Sequence, residues 1–141
     1  MADYSQPGEI PILLTPEYDE EFNLGGFHIH SCELDGLQDG GEIVAPFDRI
    51  EIVVDYPLRK AFRFQHERKG GFTRAHLVEA ICATYRNLYG AEEKNQTAVP
   101  GLIDAPENKP PFGIFGHDIE DLILEGIRHE CGGKYHLEVG S

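Results

Sequence analysis

Phe72-Thr73-Arg74-Ala75-His76-Leu77-Val78-Glu79-Ala80-Ile81-Cys82-Ala83-Thr84-Tyr85-Arg86-Asn87-Leu88-Tyr89-Gly90 is the stretch on which the fold turns. Leu77, Val78, Ile81, Cys82, Tyr85, Leu88 and Tyr89 recur at helical spacing and form one apolar stripe, with Arg74, His76, Glu79, Ala83, Arg86 and Asn87 off it. Thr73 is a good N-cap, and Phe72 before it can staple onto Leu77. Gly90 offers the left-handed residue that ends a helix. The spacing therefore predicts a helix over 73–89. A helix of about 15 residues is roughly 22 Å long and marginal by itself, so the stripe must pack on something.

The remainder reads as strands. Arg49-Ile50-Glu51-Ile52-Val53-Val54-Asp55-Tyr56 alternates, with Ile50, Ile52, Val54 and Tyr56 on one face, and Pro57 ends it. Ala61–Glu67 alternates again with Phe62 and Phe64 inward, and the short link from Pro57 to Lys60 suits a hairpin. Phe27-His28-Ile29-His30-Ser31-Cys32 follows Gly25-Gly26 and reads as a further strand. A hairpin around Cys131-Gly132-Gly133 segregates its faces cleanly when His129 faces Tyr135, Ile127 faces Leu137, Arg128 faces His136 and Glu130 faces Lys134. A helix through 118–129 competes for the same residues; one helical turn near Asp118–Leu122 followed by the hairpin is the better fit. The expected fold is α+β: an antiparallel sheet of about five strands with the 73–89 helix on one face.

The 141 residues with one core helix argue for a single domain. Area scaling leaves about 7,300 Å² exposed out of about 23,000 Å² for the unfolded chain, enough burial for a core without disulfides or a structural metal. Residues 1–21 form a Pro-punctuated arm, loosely docked or an edge strand through Ile10–Leu14, whose acids Glu17, Asp19, Glu20 and Glu21 read as solvated surface. Residues 91–111 form a long Pro-rich loop, of the kind that is usually functional or mobile.

The net charge of −13 speaks against direct nucleic-acid binding. The charge is uneven. Residues 56–74 carry Arg59, Lys60, Arg63, Arg68, Lys69 and Arg74 against Glu67, half of the chain's Lys and Arg. Cysteine usage (Cys32, Cys82, Cys131), a leader-free N-terminus and the lack of a spanning apolar run predict an intracellular, reduced protein away from membranes.

Three places have the composition of a site. In the span Arg68-Lys69-Gly70-Gly71-Phe72-Thr73-Arg74, a helix N-terminus with glycines and cations suits an anion, and Arg59, Lys60 and Arg63 extend the patch. The Walker order of glycine, lysine and hydroxyl is missing. Its alternative is a turn and a solvated strand face that balance the acidic remainder. On the strand His28-x-His30-x-Cys32, alternate residues share a face about 7 Å apart per step, so two imidazoles and a thiol can serve zinc or iron, with further donors from His117 and Asp118 or from His129 and Cys131. The bland alternative is the polar face of a half-buried strand. No Cys-x-x-Cys or His-Glu-x-x-His accompanies it.

The third place is Pro110–Asp118, where Phe112 and Phe115 can line a pocket with His117 as general base oriented by Asp121. Its alternative is two aromatic anchors for the returning loop and a cap for a helical turn. No nucleophile is evident: serine occurs only at 5, 31 and 141, and Cys82 on the apolar stripe reads as inert. His129, opposite Tyr135, reads as a core histidine.

The function expected is therefore a non-enzymatic interaction module with a bipolar charge surface and no cofactor, its partner another protein or a second copy of the chain. Two alternatives stand beside it: a small metal-binding enzyme built on His28, His30 and Cys32, with zinc as the candidate metal, and a binder of a phosphate-bearing small ligand at the main helix N-terminus.

Overall fold

A computed structural model describes residues 8–22, 25–104, 107–114 and 116–141. Phe115, proposed above as a pocket aromatic, lies outside the described residues, as do residues 1–7 of the arm.

In chain order the elements are β1 (Gly8–Ile10), α1 (Pro16–Phe22), β2 (Phe27–His28), β3 (Ile43–Ala45), β4 (Arg49–Val54), β5 (Phe62–Glu67), β6 (Phe72–Thr73), α2 (Arg74–Lys94), β7 (Ile123–Cys131) and β8 (Lys134–Gly140). Six strands make one sheet, ordered β1-β7-β8-β4-β5 with β2 also on β7, and β3 pairs with β6 separately. The architecture is mixed α and β: a six-stranded sheet with one long helix.

The long helix has the expected N-cap. Thr73 Oγ1 accepts from the His76 amide at 3.0 Å, and His76 Nδ1 accepts from the Thr73 amide at 3.3 Å, a reciprocal capping box. Leu77, Val78, Ile81, Cys82, Tyr85 and Leu88 have no exposed surface. They share one apolar cluster with Ile50, Ile52, Val54, Phe62, Phe64, Ile127 and Tyr135 of the sheet. The C-terminus differs from expectation: α2 runs through Gly90 and ends at Asn95, which takes the left-handed conformation at φ 53°. Past Gly90 the chain still gains by staying helical. Ala91 is buried and extends the stripe, and the Glu92 carboxylate accepts the Phe112 amide at 3.0 Å, tying the last turn to the returning chain. These contacts outweigh the roughly 1 kcal/mol that a mid-helix glycine costs.

The sheet is mixed rather than antiparallel. β4 and β5 form the expected hairpin, from Arg49 opposite Glu67 to Val54 opposite Phe62. β8, however, lies parallel to β4, with Ile52 beside Tyr135. Period-two alternation fixes which residues face inward and is blind to strand direction. The direction comes from the long crossover through α2, which returns β8 in the sense of β4.

The β7–β8 hairpin pairs His129 with Tyr135, Arg128 with His136 and Ile127 with Leu137, as read from the sequence. An irregularity beyond His129 sets Cys131, not Glu130, opposite Lys134; Glu130 still reaches Lys134 at 3.5 Å. A 3-10 turn at Ile119–Asp121 precedes β7, and the competing helix does not form.

The strand expected over Phe27–Cys32 stops at His28. Phe27 and His28 pair with Leu124 and Ile123, the first residues of β7. After Ile29 donates to the Leu122 carbonyl the partner turns away, and the ladder has nothing left to bond. The chain then tightens, with the Cys32 amide on the His28 carbonyl and Cys32 at φ 46°.

The arm is docked by more than its edge strand. Thr15 caps α1, a helix carrying Pro16 and Glu17 in its first turn. Tyr18 is buried, stacks on Phe27 at 5.5 Å and accepts the His28 amide through its hydroxyl. Glu17, Asp19, Glu20 and Glu21 are solvated, as expected. In the long loop, the Gly101 carbonyl accepts from the Gln65 amide and the Ile103 amide donates to the Arg63 carbonyl, so residues 101–103 lie along the outer edge of β5. Phe112 has no exposed surface and meets Phe62 edge to face at 5.2 Å.

Candidate functional site

Three depressions in the surface share one residue, His117. They measure about 710, 620 and 580 Å³. Two tyrosines one turn apart on α2 position the segments that meet there. Tyr85 donates to the Tyr56 carbonyl at 2.7 Å, and Tyr89 donates to the His117 carbonyl at 2.9 Å. Burial raises both phenols. That of Tyr89, with Asp118, Tyr56, Asp121 and Glu120 adding to the effect, is pushed up to about 12, so it remains a donor at neutral pH.

The side chains so placed form a triangle. Ser141 Oγ lies 2.9 Å from His117 Nδ1 and 2.6 Å from the Tyr56 hydroxyl, which is 3.3 Å from the same nitrogen. The Tyr56 and His117 rings meet edge to face at 5.3 Å. The sequence reading singled out His117 and assigned its orientation to Asp121; the structure orients it through Ser141 and Tyr56. Neither partner carries a sequence signal, because both arrive from the ends of strands remote in the chain.

The walls are strongly charged. Glu120, Asp121 and Glu125 line the first depression. Glu92, Glu93, Asp118 and Glu120 line the second, where Arg86 is the one Lys or Arg among the lining residues. Asp55, Arg59 and Lys60 line the third. Both signs of charge thus flank His117.

The expected anion site at Gly70–Arg74 is not assembled. Arg74 is 3% exposed. Its guanidinium donates to the Pro11 and Asp39 carbonyls at 3.2 and 2.9 Å and pairs with Glu42 at 3.0 Å. The amides at the start of α2 are taken as well: Arg74 by the Glu42 carbonyl, Ala75 by the Gly40 carbonyl, and His76 by the Thr73 hydroxyl. The Gly71 amide donates to the Arg68 carbonyl, and the Gly70 amide donates to the Asp48 carboxylate at 2.8 Å. The protein's own groups therefore occupy the donors an incoming anion would need.

The remaining cations separate. Arg63 pairs with Glu51 at 3.5 Å and Asp104 at 3.0 Å. Arg68 and Lys69 sit with Asp48 and Glu67 at one end of β5. Arg59 and Lys60 sit at the other end, with Lys60 5.2 Å above the Phe62 ring.

Nor does the proposed metal set converge. His28 contacts Ser31 Oγ and the Glu120 carbonyl. His30 lies 3.8 Å from a Glu120 oxygen, and Cys32 is half-buried against the apolar cluster. Alternate residues share a face only while a strand continues, and this one ends at His28. Among the described residues no group of three or more His, Cys, Asp or Glu is placed to hold a metal ion. His129 is 5% exposed and packs on Tyr135 at 5.0 Å, as a core histidine does. Among the described residues no helix is long and apolar enough to cross a membrane. Comparison with known proteins finds no matching family model, no matching curated protein and no matching solved structure.

Proposed function

We propose that the chain is a non-enzymatic binding module that receives a cationic segment of another protein at the depressions around His117. The observation that carries this reading is the charge of the two larger depressions, where Asp118, Glu120, Asp121 and Glu125 face Arg86 as the one lining Lys or Arg. Carboxylates gathered around a concavity raise the local concentration of a positive partner and speed its encounter. Arg59 and Lys60, which line the third depression with His117, set the partner's orientation by repelling its cationic end. The bipolar surface expected from the sequence is retained in this reading, with its positive pole moved from the start of α2 to the link after β4.

The test is a titration with a fluorescent Lys- and Arg-rich peptide at low and at near-physiological salt. Saturable binding is expected, weakening about tenfold or more as salt rises. It should be lost in a variant carrying Glu120→Gln, Asp121→Asn and Glu125→Gln. A control carrying Glu17→Gln, Asp19→Asn and Glu20→Gln makes the same change of net charge on α1 and should bind normally. Equal binding by both variants, or none by the parent at low salt, would remove the proposal.

A further inference from the structure

His28, His30 and Cys32 share one face only while a strand continues, and on such a strand Ser31 points away from His28. The fold replaces the strand with a turn. The Cys32 amide donates to the His28 carbonyl at 3.1 Å, and the chain curls so that Ser31, three residues on, comes back to His28. Ser31 Oγ lies 2.9 Å from His28 Nδ1. The other ring nitrogen, Nε2, is hydrogen-bonded to the Glu120 carbonyl. Ser31 is exposed and His28 half-buried.

These contacts fix the protons. A carbonyl oxygen only accepts, so neutral His28 carries its hydrogen on Nε2 and donates it to Glu120. Nδ1 is then a bare lone pair, and the Ser31 hydroxyl donates to it. A hydroxyl on an imidazole whose far nitrogen is held by an acceptor is the arrangement that activates an alcohol as a nucleophile. The backbone on both sides is pinned. His28 pairs with Ile123, its amide donates to the Tyr18 hydroxyl at 2.8 Å, and the Ile29 amide donates to the Leu122 carbonyl at 3.2 Å. The Glu120 carbonyl belongs to the 3-10 turn, closed by the Asp121 amide on Asp118 and the Leu122 amide on Ile119. Base, alcohol and orienting carbonyl therefore meet without any segment having to move.

We propose that Ser31 is a site of covalent acylation by an activated ester or thioester, with His28 as its general base and the Glu120 carbonyl holding that base in place. Ser31 Oγ attacks the acyl carbon of the donor as its proton passes to His28 Nδ1. A C–O bond forms, and the imidazolium keeps its Nε2 hydrogen on Glu120. The bond from the acyl carbon to the leaving oxygen or sulfur then breaks, and the departing alkoxide or thiolate takes the proton from Nδ1. The products are an ester on Ser31, an alcohol or thiol, and neutral His28, with no change of oxidation state. Neither Ser31 nor His28 is among the residues that line the three depressions at His117.

The experiment treats the full chain with p-nitrophenyl acetate at pH 7.5, quenches in acid at intervals, and maps the acetyl group by peptide mass spectrometry. The expected result is acetyl on Ser31, appearing about a hundredfold faster than in His28→Gln. That substitution leaves an amide able to hold both neighbours and removes the lone pair that takes the proton. Ser31→Ala, at an exposed position, should lose the fast phase of p-nitrophenol release that the parent shows. No acetyl on Ser31 in the parent, equal rates at Ser31 in parent and His28→Gln, or a fast phase that persists in Ser31→Ala would overturn the proposal.

Discussion

Arg74 sets a guanidinium with 3% exposure against two backbone carbonyls and one carboxylate, which makes it the buried charge on which the start of α2 depends. Truncation strands the Pro11 and Asp39 carbonyls and empties the space the side chain fills. Arg74→Ala is expected to cost about 2–4 kcal/mol in urea denaturation followed by circular dichroism. Glu42→Gln should cost less than about 1 kcal/mol, because that carboxylate is 59% exposed and the amide oxygen can still accept. His66 offers a second test. Thr84 donates its hydroxyl hydrogen to the Ala80 carbonyl, so His66 Nε2, 2.8 Å away, is the donor to Thr84. Burial holds the His66 imidazole neutral and its pKa below the ordinary value. The unfolded chain therefore takes up a proton, near pH 6.5, that the folded chain refuses. Stability from this residue is constant above about pH 7 and falls as pH drops through that range. Urea midpoints at pH 7.5 and 5.5 should differ less in His66→Gln, which keeps a donor to Thr84 and cannot titrate.

At the scale of elements, α2 shows how a helix end is chosen. Gly90 carries the permissive residue type, yet the end moves to Asn95 because Ala91 still finds core to bury and Glu92 still finds amides to accept. Substitutions at two positions separate the roles. A Cβ at Gly90 meets nothing within 4 Å, so Gly90→Ala should stabilise by about 0.5–1 kcal/mol through helix propensity. Asn95 sits at φ 53°, so Asn95→Ala should destabilise by about 1 kcal/mol, while Asn95→Gly should be near neutral. Thermal melts of the three variants decide this; a stabilising Asn95→Ala would show that the left-handed cap is not formed in solution. The apolar stripe of α2, the capping residue Thr73 and the central register of β7 with β8 were all legible in the sequence, since each depends on residues a few positions apart. The abrupt end of β2 was not, because it depends on where β7, nearly a hundred residues away, begins.

Across the whole molecule, the long loop behaves as a seam. Residues 101–103 run along β5 and satisfy its outward amide and carbonyl groups at Gln65 and Arg63. A Cβ at Gly101, already at φ 78°, would stand 2.5 Å from the Gln65 carbonyl oxygen. Gly101→Ala should therefore cost about 1–3 kcal/mol and unseal the edge of β5, giving concentration-dependent dimers or larger species in light scattering after gel filtration. A strictly monomeric, fully stable variant would show that the loop does not guard that edge. The charge pattern is decided at the same scale. Six cations close together in sequence read as one collar, and folding disperses them: Arg74 is buried, Arg63 is neutralised, and a strand separates Arg59 and Lys60 from Arg68 and Lys69. His117 was legible as a candidate, whereas its partners Tyr56 and Ser141 and the carboxylates around it were not. By itself the sequence determined which residues face the core, where α2 begins and how the middle of the last hairpin pairs, because side-chain period and capping act within one or two turns of chain. Only the tertiary structure decided strand direction, which charges remain solvated and which distant side chains meet, because those follow from the crossover path and from burial that no local pattern encodes.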